Sequence, residues 1–516
     1  MVDSRIMADE KEITFDESAV AEAEIEPDES SETEPVKEPD ENSAADGDDV
    51  EAVCPVGMGY IVGQRCERKL HVALYGADEK PVCLMHSKDP NKQSRPLFDE
   101  FWREFERILE AAGEGVAHFE RFVFPELDFS KRKFQAICRF DYATFTQNAN
   151  FFKATFTRNA DFTGATFTQY AYFWNATFTK AANFLRATFT LDADFSDAAF
   201  MLDASFFAAT FTQAASFVDT TFHGTADWRK CKFLNQAEFR QTKFEPQVEG
   251  QPSAAFALAS FSKPGEIVFD DVDLSRILFH NCDVSQVLFT SSVRWAKREG
   301  NRGLAVFEET IPLDQQYAKG LHRDGQRAYR AVKQIYQQLK KNYDSSLDYW
   351  TANEFHFGEM EMMRLAEPTR GLLSPGRWMR QWWHPRLSFV ALSLYKYASD
   401  YGNSYGKPML WLLGILVLFA ALLPLPGVGL KRQGAKQAET YASVWRSEDG
   451  WTPNLWTEAR LAGKSAITSV DAATFQKSAE YAPAYPWGRV LAIFETLLTS
   501  TLFALFLLAI RRQFRR

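Results

Sequence analysis

The sequence predicts a composite protein: a long run of short strands and turns, then a helical stretch, then two membrane-spanning helices, all preceded by an acidic tail. Three observations carry this reading. Phenylalanine is unusually frequent, 45 in 516 residues, and aromatic positions recur through the middle of the chain with a period of eleven. Two long apolar runs lie near the C-terminus. The first 53 residues hold 20 Asp/Glu against 3 Lys/Arg, with Phe15 as the one aromatic.

The tail comes first. Its net charge is −17, whereas the whole chain is −10, so the other 463 residues are mildly basic at +7. A segment so charged and so poor in large apolar groups cannot offset its chain entropy by burial, and residues 1–53 are expected to be disordered. No apolar run opens the chain, so no signal peptide is expected. The 6 cysteines do not form a secreted disulfide pattern. Length and composition exclude a small soluble enzyme, a disulfide scaffold and a single-core domain.

Residues 54–123 should form a small Cys/His unit and a helix. Cys54, Cys66, Cys83 and His86 are spaced C-x11-C-x16-C-x2-H within a Gly-rich stretch. Three thiolates and an imidazole suit one structural tetrahedral zinc; a cytoplasmic setting would keep the thiols reduced. Unligated cysteines are the alternative, because the first C-x2-C knuckle is missing and Cys54 abuts the tail; a catalytic thiol is a third. His71 is the spare ligand should Cys54 drop out. A unit this small needs a staple beyond its core. The text CLMHSKDPNKQSRPLFDEFW resembles a CIFH-D-P-x-K segment that precedes repeats in related bacterial proteins.

From Phe140 the aromatic positions run 145, 151, 156, 162, 167 and so on to 244, in steps alternating between five and six. Two residues before nearly every one stands a small residue, as in ATFTQNANFFK. A right-handed helical supercoil also has an eleven-residue period, but it would spread these rings around the helix and place Thr twice per unit where helices disfavour it. A short strand fits better: in Ala143-Thr144-Phe145, Ala and Phe share one face and Thr takes the other.

This unit resembles that of the pentapeptide-repeat family, A-[DN]-[LF]-x-x, over roughly 124–295. The resemblance implies a right-handed quadrilateral β-helix. Four sides then make a coil of 22 residues instead of the family's usual 20, with one extra residue at alternate corners. Phe145, Phe167, Phe189, Phe211 and Phe233 should stack on one side, and Phe156, Phe178, Phe200, Phe222 and Phe244 on another. Thr188 and Thr190 should face solvent. After an excursion near 246–266, a strict five-residue step appears at Phe269, Leu274, Phe279, Val284 and Phe289. Cys231 and Cys282 occupy interior slots and read as packing. Some family members mimic DNA, which needs an acidic surface; residues 124–245 hold 12 Asp/Glu and 13 Lys/Arg, so neither mimicry nor nucleic-acid binding is expected.

Residues 296–400 form a helical juxtamembrane module. Within 325–364 two helices are expected, joined near Asp344–Asp348. Tyr336, Leu339 and Tyr343 make one face, and Ala352, Phe355, Phe357 and Met360 the other. This text resembles the segment that follows pentapeptide repeats in membrane-associated family members. Glu359 and Glu361 read as a solvated helix face, not as an acid/base pair. Trp378, Trp382, Trp383 and Leu387–Tyr395 suggest an interfacial segment.

Residues 401–516 should hold two transmembrane helices, about 408–428 and 489–510, with an external loop at 431–487. Met409–Leu425 carries no charge and Val490–Ile510 only Glu495; each can cross the ~30 Å hydrocarbon core. Arg511, Arg512, Arg515 and Arg516 follow the second run, and Arg380, Arg386, Lys396 and Lys407 precede the first. Both termini are therefore expected in the cytoplasm of a bacterial plasma (inner) membrane. The second run resembles the inner helix of two-helix potassium channels, and Trp456–Ser469 a vestigial pore helix. No Gly occurs in 465–487, so a filter of that kind is missing. Glu495 reads equally as a pore or helix-pairing contact and as a group reaching for the interface.

Nothing resembles a catalytic constellation. The expectation is a membrane-anchored, non-enzymatic scaffold that presents a β-helical surface to an unknown protein partner and forms homo-oligomers through the hairpin. The alternative is an ion-conducting pore built by such oligomers.

Overall fold

A computed structural model describes residues 53–57, 66, 68–70, 78, 80–245, 250–298, 303–311, 322–323, 326–366, 384–430, 439–447, 450–451, 455–474 and 481–514. Residues 1–52 of the expected disordered tail, His71 and the Trp378–Trp383 cluster lie outside them; Val53, the last residue of that expected tail, bridges to Lys69.

Two- to four-residue strands, joined by corners, coil into a four-sided β-solenoid. Each strand pairs in parallel with the strand one coil on, giving four sheets of eight, seven, eight and six strands. They run from Val116–His118 to Ile277–Leu278, from Val123–Phe124 to Ser260–Phe261, from Leu127–Asp128 to Leu288–Phe289, and from Lys133–Phe134 to Lys243–Phe244. The solenoid thus starts at Val116, ahead of the expected 124, because Val116 already pairs with Ile137.

The register makes the coil 22 residues: Phe145 pairs with Phe167 and Phe167 with Phe189. Phe156, Phe178 and Phe200 align in the same way on another face. Rings stack coil on coil, Phe167 on Phe189 and Phe189 on Phe211 at 4.8 Å each. Rings from neighbouring faces meet edge to face, as Phe189 meets Phe195 at 5.8 Å. The core is therefore a herringbone of aromatics with Ala beside them, and no water-facing side is needed to fill it.

The alternating step has a backbone cause. Each five-residue corner closes with an i to i+3 bond, as Ala154 N–H donates to Phe151 O (3.0 Å). It puts the preceding residue in the left-handed region, Lys153 at φ 55°, as in a type II turn. At Gly164 (φ 64°) a Cβ would also strike the Tyr142 ring at 2.6 Å. The six-residue corners use their extra residue instead of a left-handed one. There the Thr after Phe is a clamp: Oγ1 of Thr146, Thr157, Thr168 and Thr179 donates to a carbonyl of the coil below at 2.9–3.0 Å. Thr190 is exposed, but Thr188 is only half-buried, flanked by Thr166 and Thr210 in its ladder, which corrects the expectation that both face solvent freely.

The excursion near 246–266 is shorter than expected. Ala254–Ala255 and Ser260–Phe261 rejoin the sheets, and Phe256 stacks on Trp228 at 4.9 Å. Beyond it the coil drops to 20 residues, with Phe269 paired to Phe289. Leu274, Phe279, Val284, Cys231 and Cys282 are buried as expected.

Both solenoid ends are capped. At the N-terminal end helix α1 (Leu97–Ala112) buries Phe101, Phe105 and Ile108, with Phe105 4.7 Å from Phe119. At the other end the short α2 (Phe307–Thr310) seats Glu308, whose carboxylate accepts from Phe279 N–H. Helices α3 (Tyr329–Ser345) and α4 (Tyr349–Ala366) follow. Trp295 Nε1–H donates to Tyr343 Oη at 2.9 Å and meets Phe355 edge-on at 5.2 Å. Gly358 is required there, because a Cβ would lie 2.4 Å from the Tyr336 ring.

The remaining helices are α5 (His384–Ser399), α6 (Gly406–Leu422), α7 (Tyr441–Trp445), α8 (Leu455–Ala473) and α9 (Pro486–Gln513). Among described residues one helix, Pro486–Arg512, is long and apolar enough to cross a membrane; Gly406–Leu422 is apolar but has 17 residues. The two-helix hairpin is thus half matched by length. Within the expected external loop the helix suggested at Trp456–Ser469 is present as α8, and it packs against α6 and α9, with Ser469 Oγ 3.1 Å from Leu416 O, partway along α6. Small hydroxyl residues on α8 allow that approach.

Candidate metal centre

The four ligand candidates converge. Cys54 and Cys66 sit on neighbouring extended segments, since Cys54 N–H donates to Arg68 O (2.9 Å) and Cys66 N–H to Val56 O (2.8 Å). Cys83 and His86 share one tight turn, in which the N–H groups of His86 and Ser87 both reach Cys83 O at 3.1 Å. The turn leads into a 3-10 helix, Pro90–Gln93, capped by Asp89 Oδ1 accepting from Asn91 N–H at 2.8 Å. Asp at the cap and Pro just inside are local signals for such a start.

All four side chains are buried and their ligand atoms lie within 4.8 Å of one another. Cys66 and Cys83 Sγ are 3.9 Å apart, Cys83 Sγ and His86 Nδ1 3.2 Å, and Cys54 Sγ and His86 Nδ1 3.5 Å. Zn–S near 2.3 Å and Zn–N near 2.0 Å give a tetrahedron with edges of about 3.5–3.8 Å, so the set fits. It does not fit a disulfide, whose sulfurs sit ~2.05 Å apart.

The surroundings orient the ligands. His86 Nε2 lies 3.2 Å from Glu120 O, and a carbonyl only accepts, so Nε2 carries the proton and Nδ1 turns its lone pair to the sulfurs. Arg68 Nη1–H points at Cys66 Sγ (3.4 Å), while its Nε holds Glu104 of α1 (3.0 Å). The thiols oppose one another: Cys54 and then Cys83 draw the Cys66 thiol down, and the same kind of contacts push Cys83 up. A cation bound among them would favour the thiolate form of all three.

The centre is part of the solenoid cap. Lys92, 3 % exposed, donates to Met85 O, Ser87 O and Val123 O at 3.3, 2.8 and 2.6 Å, and lies 4.9 Å from the Phe101 ring centre. It stitches the His86 turn to the first coil. Sequence reasoning missed this role; the signal was a lysine within DPNK, next to apolar text. Arg68 and Glu120 were missed too, and only their backbone and cross-element partners reveal them.

Two further candidates lie elsewhere. Glu359 and Glu361 are not on a solvated face. Glu359 meets Lys340 (2.8 Å), Gln337 (2.9 Å) and His356 (3.3 Å). Glu361, 8 % exposed, meets Arg364, Lys396 (3.0 Å) and Tyr401 Oη (3.0 Å). His356 and Arg364 do stand at helical spacing, and α3, α5 and the turn after α5 supply the rest, which a single-helix reading cannot see. Glu495 is fully buried, accepting from Ser469 Oγ–H, so it does not reach for the interface.

A four-sided solenoid of short parallel strands, with a Cys/His cap at one end and a helical junction at the other, is a repeat protein in class. The family model for pentapeptide repeats (9 copies) matches residues 129–177, 162–210 and 206–249, so the solenoid is built of pentapeptide repeats. No curated protein and no solved structure matches the chain.

Proposed function

We propose that this protein is a membrane-anchored, non-enzymatic scaffold that holds its pentapeptide-repeat solenoid as an interaction surface on the cytoplasmic side of a bacterial plasma membrane. The observation that carries this reading is the chain of contacts from solenoid to apolar helices. Trp295 and Tyr343 join the last coil to α3, Glu361 joins α4 to Lys396 and Tyr401, and Arg512 at the end of α9 donates to Asn353 Oδ1 (2.9 Å) on α4. Such a junction keeps a rod at a set angle to its anchor. The cap holds one structural zinc, through Cys54, Cys66, Cys83 and His86, in support of the same rod. Both termini are cytoplasmic, and nucleic acid is not a partner.

Alkaline carbonate washing of membranes that contain the full chain tests the anchor. The protein should stay in the pellet; release into the supernatant refutes it. Cysteine labelling at positions 436 and 514 from each side tests the topology.

A second reading, a pore formed by oligomers, is favoured by one specific feature. Helix α8 reaches half the height of α6, and a buried cluster of Ser465, Thr468, Ser469, Glu495 and Thr499 sits between α8 and α9. Buried polar groups among membrane helices mark helix contacts or ion paths. Planar-bilayer conductance of the purified protein, compared with Glu495→Gln, separates the two readings.

A further inference from the structure

The third solenoid face carries a break in the repeat that packing does not demand. Each coil presents there three outward positions flanking the buried Ala and Phe, and the parallel register aligns them from coil to coil. The coil below presents Asn148, Asn150 and Phe152; the coil above presents Asp192, Asp194 and Ser196. One coil instead presents Tyr170, Tyr172 and Trp174, which are 39 %, 38 % and 46 % exposed. Asn148 and Asn150 below, and Asp192, Asp194 and Ser196 above, show that a polar residue satisfies the fold at each of these positions, although Phe152 repeats an aromatic beneath Trp174. Three large exposed rings side by side therefore need a reason other than the core.

The rings are held in place. Tyr170 and Tyr172 are 5.8 Å apart and 12° from parallel. Trp174 lies 4.9 Å from Phe152 on the coil below, and its Nε1–H donates to Asp197 Oδ2 at 2.8 Å. Alternate residues of a strand sit ~6.6–6.8 Å apart, the same repeat as alternate side chains of any extended peptide. Asp192 and Asp194 border the rung directly on one side; on the other the coil with Asn148 and Asn150 intervenes before Glu126 and Asp128. No Lys or Arg stands at the outward positions of these four coils. Where a cation does approach, at the corner, it already sits on a ring: Lys153 Nζ is 5.0 Å from the Phe152 centre.

Aromatic faces bordered by carboxylates recognise guanidinium groups, which stack flat on rings while their N–H forks bond carboxylates. We propose that this rung is the scaffold's docking surface for an extended, arginine-rich segment of a protein partner. The inference rests on the scaffold reading and names the chemistry of its partner.

The test is fluorescence anisotropy of a fluorescein-labelled (Arg-Ser)4 peptide with the full chain in a non-ionic polyoxyethylene detergent. The peptide should bind, (Lys-Ser)4 should bind more weakly, and (Glu-Ser)4 should not bind. The triple variant Y170N/Y172N/W174S installs residues the adjacent coils carry, so its thermal melt should match the parent while binding weakens at least tenfold. D192N/D194N should weaken binding and flatten its salt dependence. No binding of (Arg-Ser)4, or equal binding by the triple variant, overturns the proposal. So does binding of neutral maltohexaose at the rung, which would make it a sugar platform. A failed rung leaves retention in carbonate-washed membranes untouched, whereas release from the membrane removes the scaffold reading without altering the anisotropy.

Discussion

Replacing Phe189 by Ala tests the solenoid at its middle. Phe189 is wholly buried, stacked at 4.8 Å on Phe167 below and on Phe211 above, with Phe195 edge-on at 5.8 Å. A phenylalanine ring buries roughly 150–200 Å², worth about 4–5 kcal/mol at ~25 cal/mol per Å². Rigid backbone ladders above and below prevent collapse into the space, so the expected loss is ~3–5 kcal/mol, the range for Phe→Ala in cores. Each coil contacts only its neighbours, so damage should concentrate in the coils directly above and below. The assay is chemical unfolding together with hydrogen exchange across 166–167, 188–189 and 210–211. Thr188→Ser and Thr190→Ser should each change stability by less than about 0.5 kcal/mol. Ala187→Leu should cost ~1–3 kcal/mol, because its slot is closed on all sides. Equal sensitivity at Thr188 and Phe189, or exchange spread evenly over the chain, would refute the alternation on which the solenoid rests.

Other predictions concern the cap and the junction. Purified protein should carry about one equivalent of zinc by mass spectrometry, and Cys83→Ser should lose it while staying in the membrane fraction; a metal-free protein with an intact cap would count against the centre. Asp141 is buried with both carboxylate oxygens lacking a hydrogen-bond partner, and burial, aided by Asp161 and opposed by Arg139, pushes it up to about 7. Its folded value exceeds the unfolded one, near 3.9, so the folded state binds the extra proton and stability should fall as pH rises from about 4 to about 7. Asp141→Asn should remove that fall and stabilise the protein at pH 8; an unchanged pH profile would sink the assignment. Glu361→Ala leaves Arg364 and Lys396 without their buried partner, and losing such a partner costs ~3–5 kcal/mol. Faster exchange at 396–401 with an unaltered solenoid is the expected readout, and uniform protection would argue that the junction does not depend on it.

The sequence by itself determined the solenoid. Phe at alternating steps of five and six, each preceded two residues earlier by a small residue, is a local rule repeated coil after coil. Stacking copies of one rule yields the register of Phe145 on Phe167 without any distant information. The convergence of Cys54, Cys66, Cys83 and His86 was legible for a similar reason, since few side-chain types hold a metal and the spacing leaves them free to meet. What only the tertiary structure decided depends on contacts between elements far apart in the chain. Thr146 and its counterparts became clamps because a carbonyl of the coil below happens to face them. Glu361 became a junction because Lys396 and Tyr401 fold back onto α4. Between the apolar runs the helix suggested at Trp456–Ser469 is present as α8, but its packing against α6 and α9, where Ser469 meets Leu416 and Glu495, is announced by no local pattern. Periodic packing is written along the chain; the partner of a lone polar group is set by where the fold brings another.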